Sequence, residues 1–234
     1  SITNAIRAMG RTLGPDVLAA CHALFDGEQT ALARLVPASL VDAPYGSDAR
    51  HRLDLYGGTD GGLRPVLLFV HGGGFRLGDK CDDGRWANAA VGRMAARRGM
   101  LGAVINYRLA PDHGWPAGGE DVLAALDWLR NHAADHGGDP DCIVLMGTSA
   151  GAVHVATALQ LRPDLAVRGL ILLSGLYGYT ELDGKDVPYY GDPSLYAGRM
   201  PRAAVEATQL PLMLAVAEMD PPRFQREFAG LLAA

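Results

Sequence analysis

Cys142-Ile143-Val144-Leu145-Met146-Gly147-Thr148-Ser149-Ala150-Gly151 runs from four consecutive apolar residues into a serine with glycine two positions to either side. Ile143 to Met146 reads as a strand buried on both faces. Ala150 to Leu161 is rich in Ala and Val and free of Pro, as a buried helix would be. A strand that turns sharply into a helix holds Ser149 exposed at the carboxyl end of a sheet, the arrangement called a nucleophile elbow. Its tight backbone leaves no space for large neighbours, and Gly147 and Gly151 supply the room. Because 30 of the 234 residues are glycine, this spacing arises readily by chance, and the flanking strand and helix decide the reading. A serine hydroxyl is a weak nucleophile by itself, so the elbow implies a base and a cradle of backbone N–H groups nearby.

Working upstream, a second apolar run, Pro65 to Val70, leads into His71-Gly72-Gly73-Gly74-Phe75. Three consecutive glycines adopt backbone conformations closed to other residues and can aim successive N–H groups at one point, as an oxyanion site requires. A merely flexible turn is the alternative reading of the loop taken alone.

Together with Tyr107-Arg108-Leu109-Ala110-Pro111-Asp112 and Trp115-Pro116-Ala117-Gly118-Gly119-Glu120-Asp121, these blocks resemble, in order and wording, the hormone-sensitive-lipase-like branch of the α/β-hydrolase superfamily. Asp112 stands where that family has glutamate, and Thr148 where it has aspartate. The resemblance spans about residues 50 to 220. It implies an α/β fold, a mostly parallel central sheet with helices on both faces and a small helical cap. It also implies Ser149 as nucleophile and the N–H groups of Gly73, Gly74 and Ala150 as an oxyanion hole. The start of a helix, where N–H groups lack partners and the dipole is positive, suits Ala150 to that role independently.

Downstream, the run Leu210 to Ala217 breaks into Glu218-Met219-Asp220-Pro221-Pro222. The resemblance makes Asp220 the acid that orients a histidine; capping of the following helix is the other reading, and Glu218 is held in reserve. A histidine should follow Asp220, and none does. His154 lies five positions beyond Ser149 on the same helix and is rotated away from it, so it reads as packed. His71 belongs to the glycine loop, and His22, His51, His113, His132 and His136 read as surface residues. With strand runs at Arg52 to Tyr56, Pro65 to Val70, Ala103 to Asn106, Ile143 to Met146, Leu170 to Leu173 and Leu212 to Ala217, one further strand and a histidine loop are expected beyond the sequence as read.

The alternation of strand runs and helical segments calls for one domain with a covered parallel sheet. Residues 1 to 40 read as amino-terminal cap helices (Ile2 to Met9, Asp16 to Phe25, Glu28 to Leu35), and residues 41 to 234 as the catalytic domain. Tyr177 to Met200, rich in Gly, Tyr and Pro, is a second candidate cap, with Tyr177 a candidate for substrate contact beside Phe75 and Leu77. A net charge of −5 argues against nucleic acid and anionic membrane as partners, the small basic group Arg93, Arg97 and Arg98 reading as the solvated face of an Ala-rich helix. Three scattered cysteines form neither a disulfide framework nor a metal site. No signal pattern or membrane-length apolar stretch is present, which predicts a cytoplasmic enzyme. The expected chemistry is hydrolysis of small or medium carboxylic esters through an acyl-enzyme, without metal or other cofactor. An arylformamidase or carbamate hydrolase and a non-catalytic ligand- or partner-binding protein stay open as alternatives. The oligomeric state is open too, a homodimer being one option.

Overall fold

The computed structural model describes residues 1–58, 61–81 and 86–234. Three helices lead the chain: α1 (Ile2–Ala8), α2 (Pro15–Ala23) and α3 (Asp26–Leu35). Strands β1 (Ala38–Pro44), β2 (Arg52–Tyr56) and β3 (Arg64–Val70) follow, then α4 (Ala89–Arg97), β4 (Leu101–Ile105), α5 (Ala117–His132), β5 (Gly138–Thr148), α6 (Ala150–Leu161) and β6 (Gly169–Leu173). Four short helices, α7 (Val187–Tyr190), the 3-10 turn Pro193–Leu195, α8 (Tyr196–Arg199) and α9 (Arg202–Ala207), precede β7 (Leu212–Ala215) and α10 (Pro222–Leu232).

The seven strands form one sheet in the order β1-β2-β4-β3-β5-β6-β7. β1 and β2 are antiparallel to their neighbours, and the pairs from β4 through β7 are parallel. Parallel strands covered on both faces must be apolar nearly throughout, which is why β4 is buried at every residue and β3 over its last five. On one face α5 and α6 contribute Val122, Leu126, Leu129, Val155 and Leu159 to the main core; on the other, α4 packs over Tyr56, Phe69 and Val104. α6 is buried from Ala150 to Leu159, the burial that its Ala/Val composition predicts.

Strand β1, which the sequence did not reveal, crosses residue 40, so the sheet begins inside the stretch read as cap. It sits at the sheet edge with two register shifts and with Asp42 at a positive φ of 54°. α1, α2 and α3 bury no residue. They are tethered through Trp86 Nε1 donating to Asp26 (2.6 Å), Arg93 Nε donating to the Val36 carbonyl (3.2 Å) and an Arg7–Glu218 ion pair (3.1 Å). Among the described residues no helix is long and apolar enough to cross a membrane.

Candidate active site

Register brings the two glycine-bearing turns together. Val70 pairs with Gly147 across β3 and β5, so His71 to Phe75 and Thr148 to Gly151 leave adjacent strands at the same sheet edge. The fit is close enough to forbid side chains: a Cβ on Gly151 would lie 2.1 Å from the Val70 carbonyl oxygen, and one on Gly147 would lie 2.4 Å from the Gly151 backbone. Ser149 itself takes φ 52° and ψ −121°, a conformation costly for a residue with a Cβ and one the elbow imposes. Its N–H donates to the Leu173 carbonyl (2.8 Å), fixing the turn to β6 as well.

Facing it, a Cβ on Gly72 would stand 3.2 Å from Ser149 Cβ, so the glycine loop lies directly against the serine. Gly73 (φ 133°) and Gly74 (φ 57°) occupy backbone regions closed to most side chains. Among the described residues no hydrogen bond is found from the N–H groups of Gly73, Gly74 or Ala150, the three groups expected to hold an oxyanion. The loop is braced from behind. Tyr107 Oη donates to the His71 carbonyl (2.9 Å), Ala110 N–H to the Phe75 carbonyl (2.9 Å), and Arg50 to the carbonyls of Tyr107 (2.7 Å) and Gly78 (2.9 Å). Asp121 accepts from the Arg108 N–H (2.7 Å) and guanidinium and contacts His51 Nε2 (3.0 Å). The Tyr107 to Asp112 and Trp115 to Asp121 blocks therefore serve as a brace for the glycine loop.

On the other side of Ser149, β6 and β7 bring Asp220 to the same edge. Its Oδ2 accepts from Ser174 Oγ (2.5 Å) and Ala217 N–H (2.9 Å). Glu218, by contrast, pairs with exposed Arg7 and points outward. Glu227 of α10, fully buried, accepts from the N–H groups of Tyr177, Gly178, Tyr179 and Thr180 and from the Thr180 hydroxyl, pinning the segment that follows β6. Neither Ser174 nor Glu227 was foreseen. Each acts through a partner more than 40 positions away, and no spacing rule marks such a pair.

The three residues expected to meet substrate separate. Leu77 is 71% exposed beside the loop, whereas Phe75 and Tyr177 are each 3% exposed. Phe75 stacks on Tyr189 with centroids 4.2 Å apart, and Tyr177 is part of the main core. Contrary to the expectation of substrate contact, both are enclosed in core packing, because their rings are covered by neighbouring apolar and aromatic side chains. Of the histidines, His154 is packed as expected, edge-on to Tyr107, Phe75 and Tyr189. Burial lowers its pKa to about 3, and that of His71, whose Nδ1 bonds the Gly72 carbonyl (2.7 Å), to about 4. His51, expected at the surface, is instead half-buried against Asp121. None of the contacts described for the seven histidines involves Ser149.

A family model described as the alpha/beta hydrolase fold matches residues 67–211. The chain belongs to the α/β-hydrolase fold family. The carboxylesterase NlhH of Mycobacterium tuberculosis is 39% identical to this hydrolase-fold chain over 120 residues, 51% of the chain and 36% of that protein. The esterase LipQ of the same organism is 31% identical over 216 residues, 80% of the chain and 50% of that protein. The crystal structure of esterase B from Lactobacillus rhamnosis superimposes with a TM-score of 0.70 over 99% of the chain and 79% of that structure; at 22% identity it speaks for the fold. This α/β-hydrolase chain spans half or less of the length of the two curated relatives.

Proposed function

We propose that this chain carries the nucleophile, oxyanion hole and acid of a serine carboxylesterase acting on small or medium esters. The observation that carries the reading is the packing of Gly72 against Ser149, which sets the glycine loop beside the serine, with no hydrogen bond found from the N–H groups of Gly73, Gly74 or Ala150 among the described residues. Ser149 Oγ attacks the ester carbonyl carbon as its proton passes to a base. The oxygen that gains charge is held by the three N–H groups, each such donor contributing on the order of 10²-fold or more in rate. The alcohol departs with that proton, and water then hydrolyses the acyl-serine with release of the acid. Esterase relatives of this family support the ester as substrate.

In this reading Asp220 orients a histidine base, and none of the contacts described for the seven histidines involves Asp220. β7 pairs with β6 alone at the sheet edge, and Met213 on it is 57% exposed. In this reading α1 to α3 and the segment after β6 form the cap. The three cysteines are free, which fits a reducing cytoplasmic setting.

The test uses the full-length protein. A fluorophosphonate probe should label Ser149 stoichiometrically, and Ser149→Ala should abolish labelling and cut p-nitrophenyl acetate turnover by about 10³-fold or more. Unchanged turnover in that variant rejects the serine mechanism. Absent labelling in the full-length protein favours the second reading, a ligand-binding hydrolase fold without catalysis, which the lack of any histidine contact to Ser149 motivates.

A further inference from the structure

We propose that Ser174 is a positioning residue for the triad acid, saturating one oxygen of Asp220 so that the other faces the base. The inference rests on the esterase reading and adds to it a residue that neither the motifs nor the family match singles out.

Three observations converge on Ser174. The first is register. Leu173 pairs with Thr148 on one side and with Ala215 on the other, so Ser174 lies between the turn carrying Ser149 and the turn carrying Asp220. The second is hydrogen bonding. Ser174 Oγ donates to Asp220 Oδ2 at 2.5 Å, the short distance of a hydroxyl bound to a charged carboxylate, and Ala217 N–H donates to the same oxygen at 2.9 Å. Oδ1 has no hydrogen-bond partner among the described residues. A carboxylate with one oxygen occupied by two donors has a fixed plane, and its second oxygen presents a lone pair in one direction.

The third observation is strain. Ser174 has φ 49°, the left-handed region in which glycine is the low-cost residue, and its N–H is tied to the Ala215 carbonyl at 2.8 Å. A serine kept where glycine would be easier is accounted for by its hydroxyl. The same positive φ turns that hydroxyl off the line of β6 and toward the next strand's loop. A simple tie between two loops is the competing explanation, and it makes different predictions.

The experiment compares Ser174→Gly and Ser174→Ala with Asp220→Asn and Ser149→Ala in the full-length protein. It measures kcat and KM on p-nitrophenyl acetate from pH 5 to 9 together with thermal unfolding. Removing the hydroxyl should lower kcat about 10-fold through misorientation, with KM within about twofold. It should also move the acid limb of kcat/KM to higher pH, because a carboxylate relieved of one donor stabilises the imidazolium more. Ser174→Gly should match or exceed the native unfolding temperature, since it relieves the positive φ. Native kcat and an unmoved acid limb in Ser174→Gly, with Asp220→Asn and Ser149→Ala both inactive, overturn the proposal and leave the esterase reading standing. So does a loss of kcat that follows a loss of stability with the limb unmoved. Turnover retained in Asp220→Asn or Ser149→Ala removes the reading beneath it.

Discussion

At the scale of single residues, the three loop glycines are not equivalent. A Cβ on Gly73 would fall 1.9 Å from the Leu77 carbonyl oxygen at a φ of 133°, so any side chain there forces the loop open. Gly74, at φ 57°, has nothing within 4 Å of that position; alanine there meets only the intrinsic cost of left-handed backbone, about 1 kcal/mol. Gly74→Ala should therefore keep turnover within about tenfold, while Gly73→Ala should lose about 10²-fold or more by displacing a proposed oxyanion donor. Equal losses in the two variants, measured as kcat on one ester, would contradict this account of the loop. The distinction was invisible in the sequence. A glycine triplet states that unusual backbone is needed, but Leu77 closes over Gly73 only after the chain turns, Arg76 and Leu77 both donating to the Gly73 carbonyl.

At the scale of elements, six of the seven strands were legible, β3 to β6 because burial on both faces of a parallel sheet leaves apolar runs and β2 despite its antiparallel pairing and its charged Arg52 and Asp54. β1 was not, since an irregular edge strand needs no such run. Likewise, the His51–Asp121 contact joins residues 70 positions apart, and a lone histidine in a polar stretch reads as surface until β2 and α5 are docked. Glu227 belongs to the same class. On sequence it is one of the polar residues of an amphipathic helix, yet it is fully buried and its carboxylate receives four backbone N–H groups and a hydroxyl from the segment after β6. Consecutive N–H groups converging on one anion replace its lost hydration without a cation. Glu227→Ala strands those donors, and unsatisfied buried donors cost about 1–3 kcal/mol apiece, so a loss on the order of 3–5 kcal/mol is expected. Glu227→Gln, keeping shape and one acceptor oxygen, should lose roughly half as much. Urea unfolding checks both; a Glu227→Ala midpoint near the native one would show that α10 does not hold this segment.

At the scale of the whole molecule, the same core that positions Ser149 encloses two imidazoles. His71 and His154 are fully buried in packing around Tyr107 and Phe75, and burial depresses their pKa values to about 4 and about 3 against an ordinary 6.5. Both are neutral in the folded chain from pH 7 down to about 5. The unfolded chain takes up a proton on each as pH falls through 6.5, so it binds more protons than the folded state and stability declines with acidification. Each group contributes a slope approaching about 1.4 kcal/mol per pH unit between the unfolded and folded pKa values. Between pH 7 and pH 5 the two together should remove about 3–4 kcal/mol, ahead of the carboxylates Asp48 and Asp127, whose lowered pKa values cost stability only at greater acidity. His154→Leu takes one imidazole out of the balance. Urea unfolding at the two pH values should show its pH-dependent loss reduced by about 2 kcal/mol relative to the native chain, whatever the substitution does to stability at pH 7. An identical loss in both proteins would mean that His154 accepts its proton inside the fold, and a protonatable histidine lying against Phe75 would then be a candidate base after all.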